Sequence, residues 1–366
     1  MSNRPIRALF TGHAPVHFLC FRPLFEALRK DPNVEIFVSG GFRQQIGEGE
    51  YQYDPLALFP QLGVPTENIL PVDEMKQQDF DVLFCSNTNM LEPRSVGKKV
   101  QVFHGISFRN RAIRPANMGA DHYLMVGPYM SRKFEEAGLM KVGDPRQVQV
   151  GLMKTDPLFD GSLEKTALMD LFGFDGTRPV IAFCPTGQRY NALDVYGLAL
   201  LEELRATGRY DILVKLHDHP HGSKDWSEDV NDIQDAHLKM AQTYDVMPVL
   251  AAADLLITDA SSVSNEYSLL DRPIIYMDVP KLIEKAMGKS DSMTDLASWG
   301  RKTGLVVDSV DSLANAVMES LAKPDALSEI RQEAASDLFY NKGKAVDAAM
   351  AWLKETFAAQ TASARV

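Results

Sequence analysis

The sequence predicts an α/β protein made of two Rossmann-like domains, each a doubly wound parallel sheet, facing a central cleft. Three observations carry this expectation. Short apolar runs of strand length alternate with longer helical patterns along most of the chain. The alternation fades once, near the middle, and then restarts. Most of the expected strands run into Gly, Ser or His, which is where parallel sheets place their ligands.

In the first half, strands are expected at Ile6–Thr11, Val34–Ser39, Val82–Ser86, Val100–His104, His122–Val126 and Val148–Gly151. The clearest helices between them are Phe18–Arg29 and Pro128–Glu136. Turn signals at Asp156-Pro157, Asp160-Gly161 and Asp175-Gly176 surround a short helix at Leu163–Phe172 and mark the linker. The second half restarts with a strand at Val180–Cys184, a helix at Ala192–Arg205 and a strand at Ile212–Leu216. Further strands are expected around Val249 and at Leu255–Thr258, Ile274–Tyr276 and Leu305–Val307. From Asp325 to Thr356 the pattern is helical and amphipathic, with Ala358–Val366 a frayed end. This places a first domain at residues 1–160 and a second at 161–340. A C-terminal helix and tail, 341–366, are free to pack back on the first domain.

The 366 residues suit two domains, and 45% hydrophobic residues can fill a core in each. With 38 basic and 49 acidic residues the formal charge is −11, which argues against a nucleic-acid partner. A local cleft can still be positive. Cys20, Cys85 and Cys184 lie far apart in apolar runs, which reads as three buried, reduced thiols. The N-terminus carries no signal-peptide pattern, and no run approaches the ~20 apolar residues of a spanning helix. The expected location is cytoplasmic, with any membrane contact peripheral and at the inner face.

Neither GxGxxG after a strand nor GxxxxGK[ST] occurs, which removes the common dehydrogenase and P-loop readings. Four loops remain. His104-Gly105 ends a strand and precedes Arg109, Arg111 and Arg114. An imidazole there suits a general base, and a structural histidine is the competing reading. Pro185-Thr186-Gly187-Gln188-Arg189 follows the first strand of the second half, where Thr186 and Arg189 can meet a phosphate. In an extended chain Lys215, His217, His219 and His221 share a face, so Lys215 and a histidine can clamp a pyrophosphate. Two histidines at x-spacing do not make a metal site, and no metal is assigned. Finally, the buried run Leu255–Thr258 enters Asp259-Ala260-Ser261-Ser262 and then a helix bearing Glu266. Ser261 or Ser262 can cap that helix, its N-terminus can hold phosphate, and Glu266 can accept the hydroxyls of a ribose. His13 and His17, after the first strand, are weaker candidates for the acceptor side. Asp79-Phe80-Asp81 has DxD spacing, but it precedes a strand and reads as a solvated turn.

Taken in order, His104-Gly105, Pro185-Thr186, Lys215-Leu216-His217, Asp259-x-Ser261-Ser262, Glu266 and Arg272-Pro273-Ile274-Ile275-Tyr276 resemble the CDP-glycerol glycerophosphotransferases. These are the teichoic-acid primases and polymerases and related capsule-building enzymes. The resemblance spans roughly Val100 to Met277, with Ile106 standing where the family pattern has Thr. It implies a GT-B fold and transfer of glycerol phosphate, or a related polyol phosphate, from a CDP-activated donor to an acceptor hydroxyl. It implies no cofactor and carries no oligomeric state. By carry-over, His104 would be the catalytic base and His217 a second catalytic residue at the donor phosphates. Ser261 and Ser262 would lie at the pyrophosphate and Glu266 at the ribose. His219 is the alternative to His217, and His13 and Arg109 would lie on the acceptor side. The alternative reaction on the same fold is a glycosyltransferase or sugar-nucleotide epimerase using a UDP- or GDP-sugar. A non-catalytic nucleotide-binding protein is the third reading.

Overall fold

A computed structural model of the chain describes residues 4–86, 90–106, 108–218, 222–288 and 295–363. The chain divides into two compact units. One contains Met1–Gly105, Ala112–Asp156 and Phe339–Val366; the other contains Ile106–Arg111 and Pro157–Leu338.

The first unit holds strands β1 (Ile6–Gly12), β2 (Val34–Gly40), β3 (Phe42–Gly47), β4 (Glu50–Asp54), β5 (Asp79–Cys85), β6 (Ser95–Val102), β7 (His122–Met125) and β8 (Gln147–Gln149). Six of them form a parallel sheet in the order β2-β1-β5-β6-β7-β8. The order reverses between β1 and β5, the position where such sheets bind ligands. β3 and β4 form a separate antiparallel hairpin. Phe10, Phe18, Phe21, Phe25 and Phe84 fill the core over this sheet. Ala345, Ala349 and Leu353 of the last helix, Ala345–Ser363, join the same core. The Asp156 carboxylate receives that helix, accepting the N–H groups of Ala345 and Val346 at 3.1 and 2.8 Å.

The second unit holds β9 (Val180–Phe183), β10 (Asp211–Val214), β11 (Leu238–Met240), β12 (Leu255–Thr258), β13 (Ile274–Met277) and β14 (Leu305–Val307). The sheet is wholly parallel in the order β11-β10-β9-β12-β13-β14, with its reversal between β9 and β12. Both faces are covered, because alternate residues of each strand enter different cores. Ile181, Phe183, Ile212 and Ile257 enter one, and Val180, Ala182, Leu213 and Leu256 the other. That two-sided burial is why these strands read as continuous apolar runs.

Several expected elements change. The apolar residues around Val249 form a helix, Met247–Ala252, instead of a strand; a short apolar run does not separate the two. The helix expected over Phe18–Arg29 is two, Pro15–Leu19 and Arg22–Arg29, with Pro23 in the first turn of the second. The one expected over Ala192–Arg205 is divided by Gly197, whose φ is 64°. The C-terminal helical stretch is interrupted between Ser328–Leu338 and Ala345–Ser363. Asp79 and Asp81 lie within β5 and serve structure. Asp79 pairs with Arg94 and Ser95, and Asp81 accepts from Arg4 and from the Arg7 backbone. Cys20, Cys85 and Cys184 are buried and unbridged. Among the described residues no helix is long and apolar enough to cross a membrane.

Candidate functional site

At the reversal point of the second sheet, the loops after β9 and β12 meet on one carboxylate. Asp259 is fully buried. Its Oδ1 accepts the N–H groups of Thr186 at 2.9 Å and Ala260 at 2.5 Å, and its Oδ2 accepts that of Ala192 at 2.9 Å. Burial pushes its carboxyl above the usual carboxylate range, while the three N–H donors and the Arg109 guanidinium oppose that push. The result is a rigid joint between the Thr186 segment and the Ser261-Ser262 segment. Asn191 extends it, donating to the Thr186 carbonyl at 2.7 Å while its Oδ1 caps the helix Ala192–Tyr196 by accepting the Asp194 N–H. Thr186 is itself buried, whereas Arg189 is exposed.

Ser261 and Ser262 are half-buried at the head of the helix Val263–Ser268. The expected side-chain cap is weak. Ser262, at the N-cap position, makes no capping bond, and Ser261 Oγ is 3.4 Å from the Val263 N–H. Both hydroxyls therefore keep capacity for a ligand. Glu266, expected one turn into this helix as an acceptor for ribose hydroxyls, is 2% exposed. Next to it, Asn265 donates to the Ile106 carbonyl at 2.8 Å, and the Asp295 N–H donates to the Phe108 carbonyl at 2.7 Å. These bonds fasten the Ile106–Arg111 segment within the second unit. Arg109, expected with the acceptor-side residues, is thereby placed with the Asp259 group. Desolvation and the neighbouring Arg111 lower its pKa, and Asp259 opposes this.

β10 ends at Val214, not Leu216, so the even alternation expected through His217 stops early. Lys215 still donates its backbone N–H to the Phe183 carbonyl at 2.9 Å. Its ammonium turns back to the Leu216 carbonyl at 2.6 Å and to Asp218 Oδ1 at 2.7 Å. Lys215 is buried and His217 exposed, so the two do not share one environment. His219 and His221 lie outside the described residues.

At the reversal point of the first sheet stand three histidines. The ring centroids of His13 and His17 are 4.4 Å apart, and those of His17 and His104 are 5.9 Å apart. His17 Nδ1 accepts the His13 N–H at 3.1 Å, which in the neutral ring puts the proton on Nε2. Ser86 ties the group together: its hydroxyl donates to the His17 carbonyl at 2.8 Å, and its carbonyl lies 3.3 Å from His104 Nδ1. A carbonyl only accepts, so that contact assigns the proton to Nδ1 and leaves the His104 Nε2 lone pair for chemistry. His104 presents an edge to solvent yet is crowded on its other sides. Lost hydration, and then the Lys154 ammonium, hold its pKa below the ordinary value. Lost hydration followed by Arg43 lowers His13 to about 4. Gly12 is required beside them, because a Cβ there would lie 2.6 Å from His17 Cβ.

In the sequence Asp259 stands out only as the head of the Asp-x-Ser-Ser motif; its part in joining the two loops comes from the fold. The signal for it is an acidic residue directly after the buried strand Leu255–Thr258, since a carboxylate so placed must collect N–H donors.

The family model described as CDP-Glycerol:Poly(glycerophosphate) glycerophosphotransferase matches residues 85–346. The chain is 29% identical over 176 residues to the teichoic acid glycerol-phosphate primase of Bacillus subtilis (strain 168), a match covering 46% of this chain and 43% of that protein. It is 25% identical over 287 residues to the teichoic acid ribitol-phosphate primase of Bacillus spizizenii (strain ATCC 23059 / NRRL B-14472 / W23), covering 70% and 68%. The chain thus spans less than half of the first relative's length and about two thirds of the second's. Among solved structures, a variant of the wall teichoic acid polymerase TagF soaked with CDPG superposes with a TM-score of 0.71 at 16% identity, over 99% of this chain and 91% of that one. A UDP-N-acetylglucosamine 2-epimerase-like protein from Listeria monocytogenes gives 0.60 at 14% identity, over 96% and 97%. At these identities the structures share the fold, two parallel-sheet α/β domains of GT-B type.

Proposed function

Because this chain belongs to the CDP-glycerol:poly(glycerophosphate) glycerophosphotransferase family, we propose that it transfers glycerol phosphate, or a related polyol phosphate, from a CDP-activated donor to an acceptor hydroxyl in cell-surface polymer synthesis. The acceptor oxygen attacks the donor β-phosphorus, the bond from that phosphorus to the bridging oxygen breaks, and CMP departs with that oxygen. His104 Nε2 takes the hydroxyl proton. The lowered pKa of His104 supports this role, because the ring is neutral at physiological pH and ready to accept.

The donor falls to the second unit. The observation that carries this assignment is the joint at Asp259, which fixes the Thr186 and Ser261 segments side by side at the sheet's reversal point. Ser261 and Ser262 hydroxyls and the Arg189 guanidinium contact the diphosphate. Lys215, held by Asp218, supplies positive charge along that edge, and the exposed His217 reaches the phosphates from a separate position, with His219 as the alternative imidazole. Glu266 accepts the ribose hydroxyls. Arg109 steadies Asp259, and His13 lies on the acceptor side. Positioning and charge stabilisation account for most of the acceleration expected of phosphoryl transfer. The reaction belongs in the cytoplasm, with the acceptor met at the inner membrane face.

The test is CMP release from CDP-glycerol and CDP-ribitol, with and without a hydroxyl acceptor, beside UDP-N-acetylglucosamine as the epimerase control. Acceptor-dependent CMP release is the expected result. Epimerisation of the UDP-sugar with no CMP from either CDP-polyol would transfer the chain to the alternative reaction.

A further inference from the structure

The carboxyl edge of the second sheet also carries an aromatic ring surrounded by cations. Tyr190 stands in the loop after β9, and Lys281 and Lys285 lie one turn apart on the helix Pro280–Met287, which follows β13. The Arg189 guanidinium carbon is 5.0 Å from the Tyr190 ring centroid, and the Lys285 and Lys281 ammonium nitrogens are 4.3 and 6.0 Å from it. The ring is held in place: it packs with Phe108 and Ile283 on a buried cluster of Ala260, Val279 and Leu282. Its backbone adopts φ 67°, a left-handed conformation that bulky residues avoid, and its N–H is held by Asp194 Oδ2 at 2.8 Å.

This arrangement is electrostatically incomplete. Among the described residues no carboxylate pairs with Arg189, Lys281 or Lys285. Lys281 and Lys285 are four residues apart on one helix face, a spacing at which like charges repel. Contact with the ring offsets only part of that cost at an exposed position. A protein of net charge −11 nevertheless concentrates three cations within about one side chain's reach of each other. Ala260, under the ring, is the neighbour of Ser261, so the cluster adjoins the loop already assigned to the donor.

We propose that Arg189, Tyr190, Lys281 and Lys285 form a subsite for a phosphate ester, with the ammonium and guanidinium groups neutralising its charge and the phenol hydroxyl donating to it. The proposal rests on the nucleotide reading of this sheet edge but requires no transfer step. Two sources share the chemistry: the diphosphate of the donor and a phosphate already present on the acceptor.

Calorimetric titration of the wild-type chain and K281Q/K285Q separates these. The probes are CDP-glycerol, CMP, cytidine, inorganic pyrophosphate and glycerol 3-phosphate at two salt concentrations. Both lysines are exposed, and Tyr190→Phe serves as a second variant that keeps the ring. Loss of both charges is expected to weaken phosphate-bearing probes about tenfold or more, with a shallower salt dependence, and to leave cytidine unchanged. Weakening confined to CDP-glycerol and pyrophosphate assigns the donor; weakening of glycerol 3-phosphate assigns the acceptor. Weakened phosphate binding without any CMP release would uphold the subsite while sinking the transfer reaction. Equal affinities in wild type and variant, or no phosphate-bearing probe bound by wild type, would overturn it. So would lysine-dependent binding to phosphatidylglycerol vesicles alone, which would make the cluster a membrane contact.

Discussion

The carboxylate of Asp259 holds the backbone N–H of Thr186 at 2.9 Å, across 73 residues of sequence. With the Ala192 and Ala260 bonds, it makes one buried side chain the joint between the loops that follow β9 and β12. Replacing it by Asn turns an acceptor into a partial donor facing N–H groups. Asp259→Asn should cost about 2–4 kcal/mol, the range for disrupting a buried charged hydrogen-bond network. Urea unfolding measures this. An unchanged midpoint would mean the loops are held by other contacts.

His104→Ala should lower turnover by ~10²–10⁴-fold, the usual contribution of a general base. Folding should persist, because an edge of the ring is exposed. CMP release and the circular dichroism spectrum, measured on the same preparation, check the two halves. Turnover within a factor of two of wild type would remove the base role.

Glu266→Gln should raise KM for a CDP donor by roughly 10–100-fold, the equivalent of one charge-assisted hydrogen bond. The same substitution should leave KM for a 2′,3′-dideoxy donor unchanged. Equal losses on both donors would reassign Glu266 to packing.

Gly12→Ala places a Cβ 2.6 Å from His17 Cβ, closer than real side chains approach. The expected cost is about 1–3 kcal/mol for overpacking, with displacement of His17 and of the His13 N–H bonded to it. Thermal unfolding reads the cost, and histidine ring shifts in NMR read the displacement.

Stability should fall as pH drops through the histidine range. His13 titrates near 4 in the folded chain against 6.5 for the ordinary group, and His104 is shifted in the same direction. Between those values the unfolded chain binds more protons, so stability contributed by neutral His13 is complete above about 6.5 and is lost toward 4. His13→Gln should flatten the melting-temperature profile over that interval. An identical slope would assign the acid sensitivity to other groups.

The sequence by itself determined the two parallel sheets. Strands buried on both faces, such as Val180–Phe183 and the Leu255–Ile257 part of β12, are built from apolar residues, and that requirement is local enough to read. It also marked the loops that follow those strands. It did not reveal the β3–β4 hairpin, whose residues are largely exposed and polar, or the three-residue β11, too short for a pattern. The run at Val249 became a helix because short apolar stretches carry no period of their own. Tertiary structure alone decided that Asp259 gathers N–H groups from distant loops, that Glu266 is buried, and that Arg109 joins them. It also decided that Lys281 and Lys285 crowd Tyr190. Hydrogen bonds and charge contacts between residues far apart in the chain depend on which strand lies beside which, and strand order leaves no local trace in composition or periodicity.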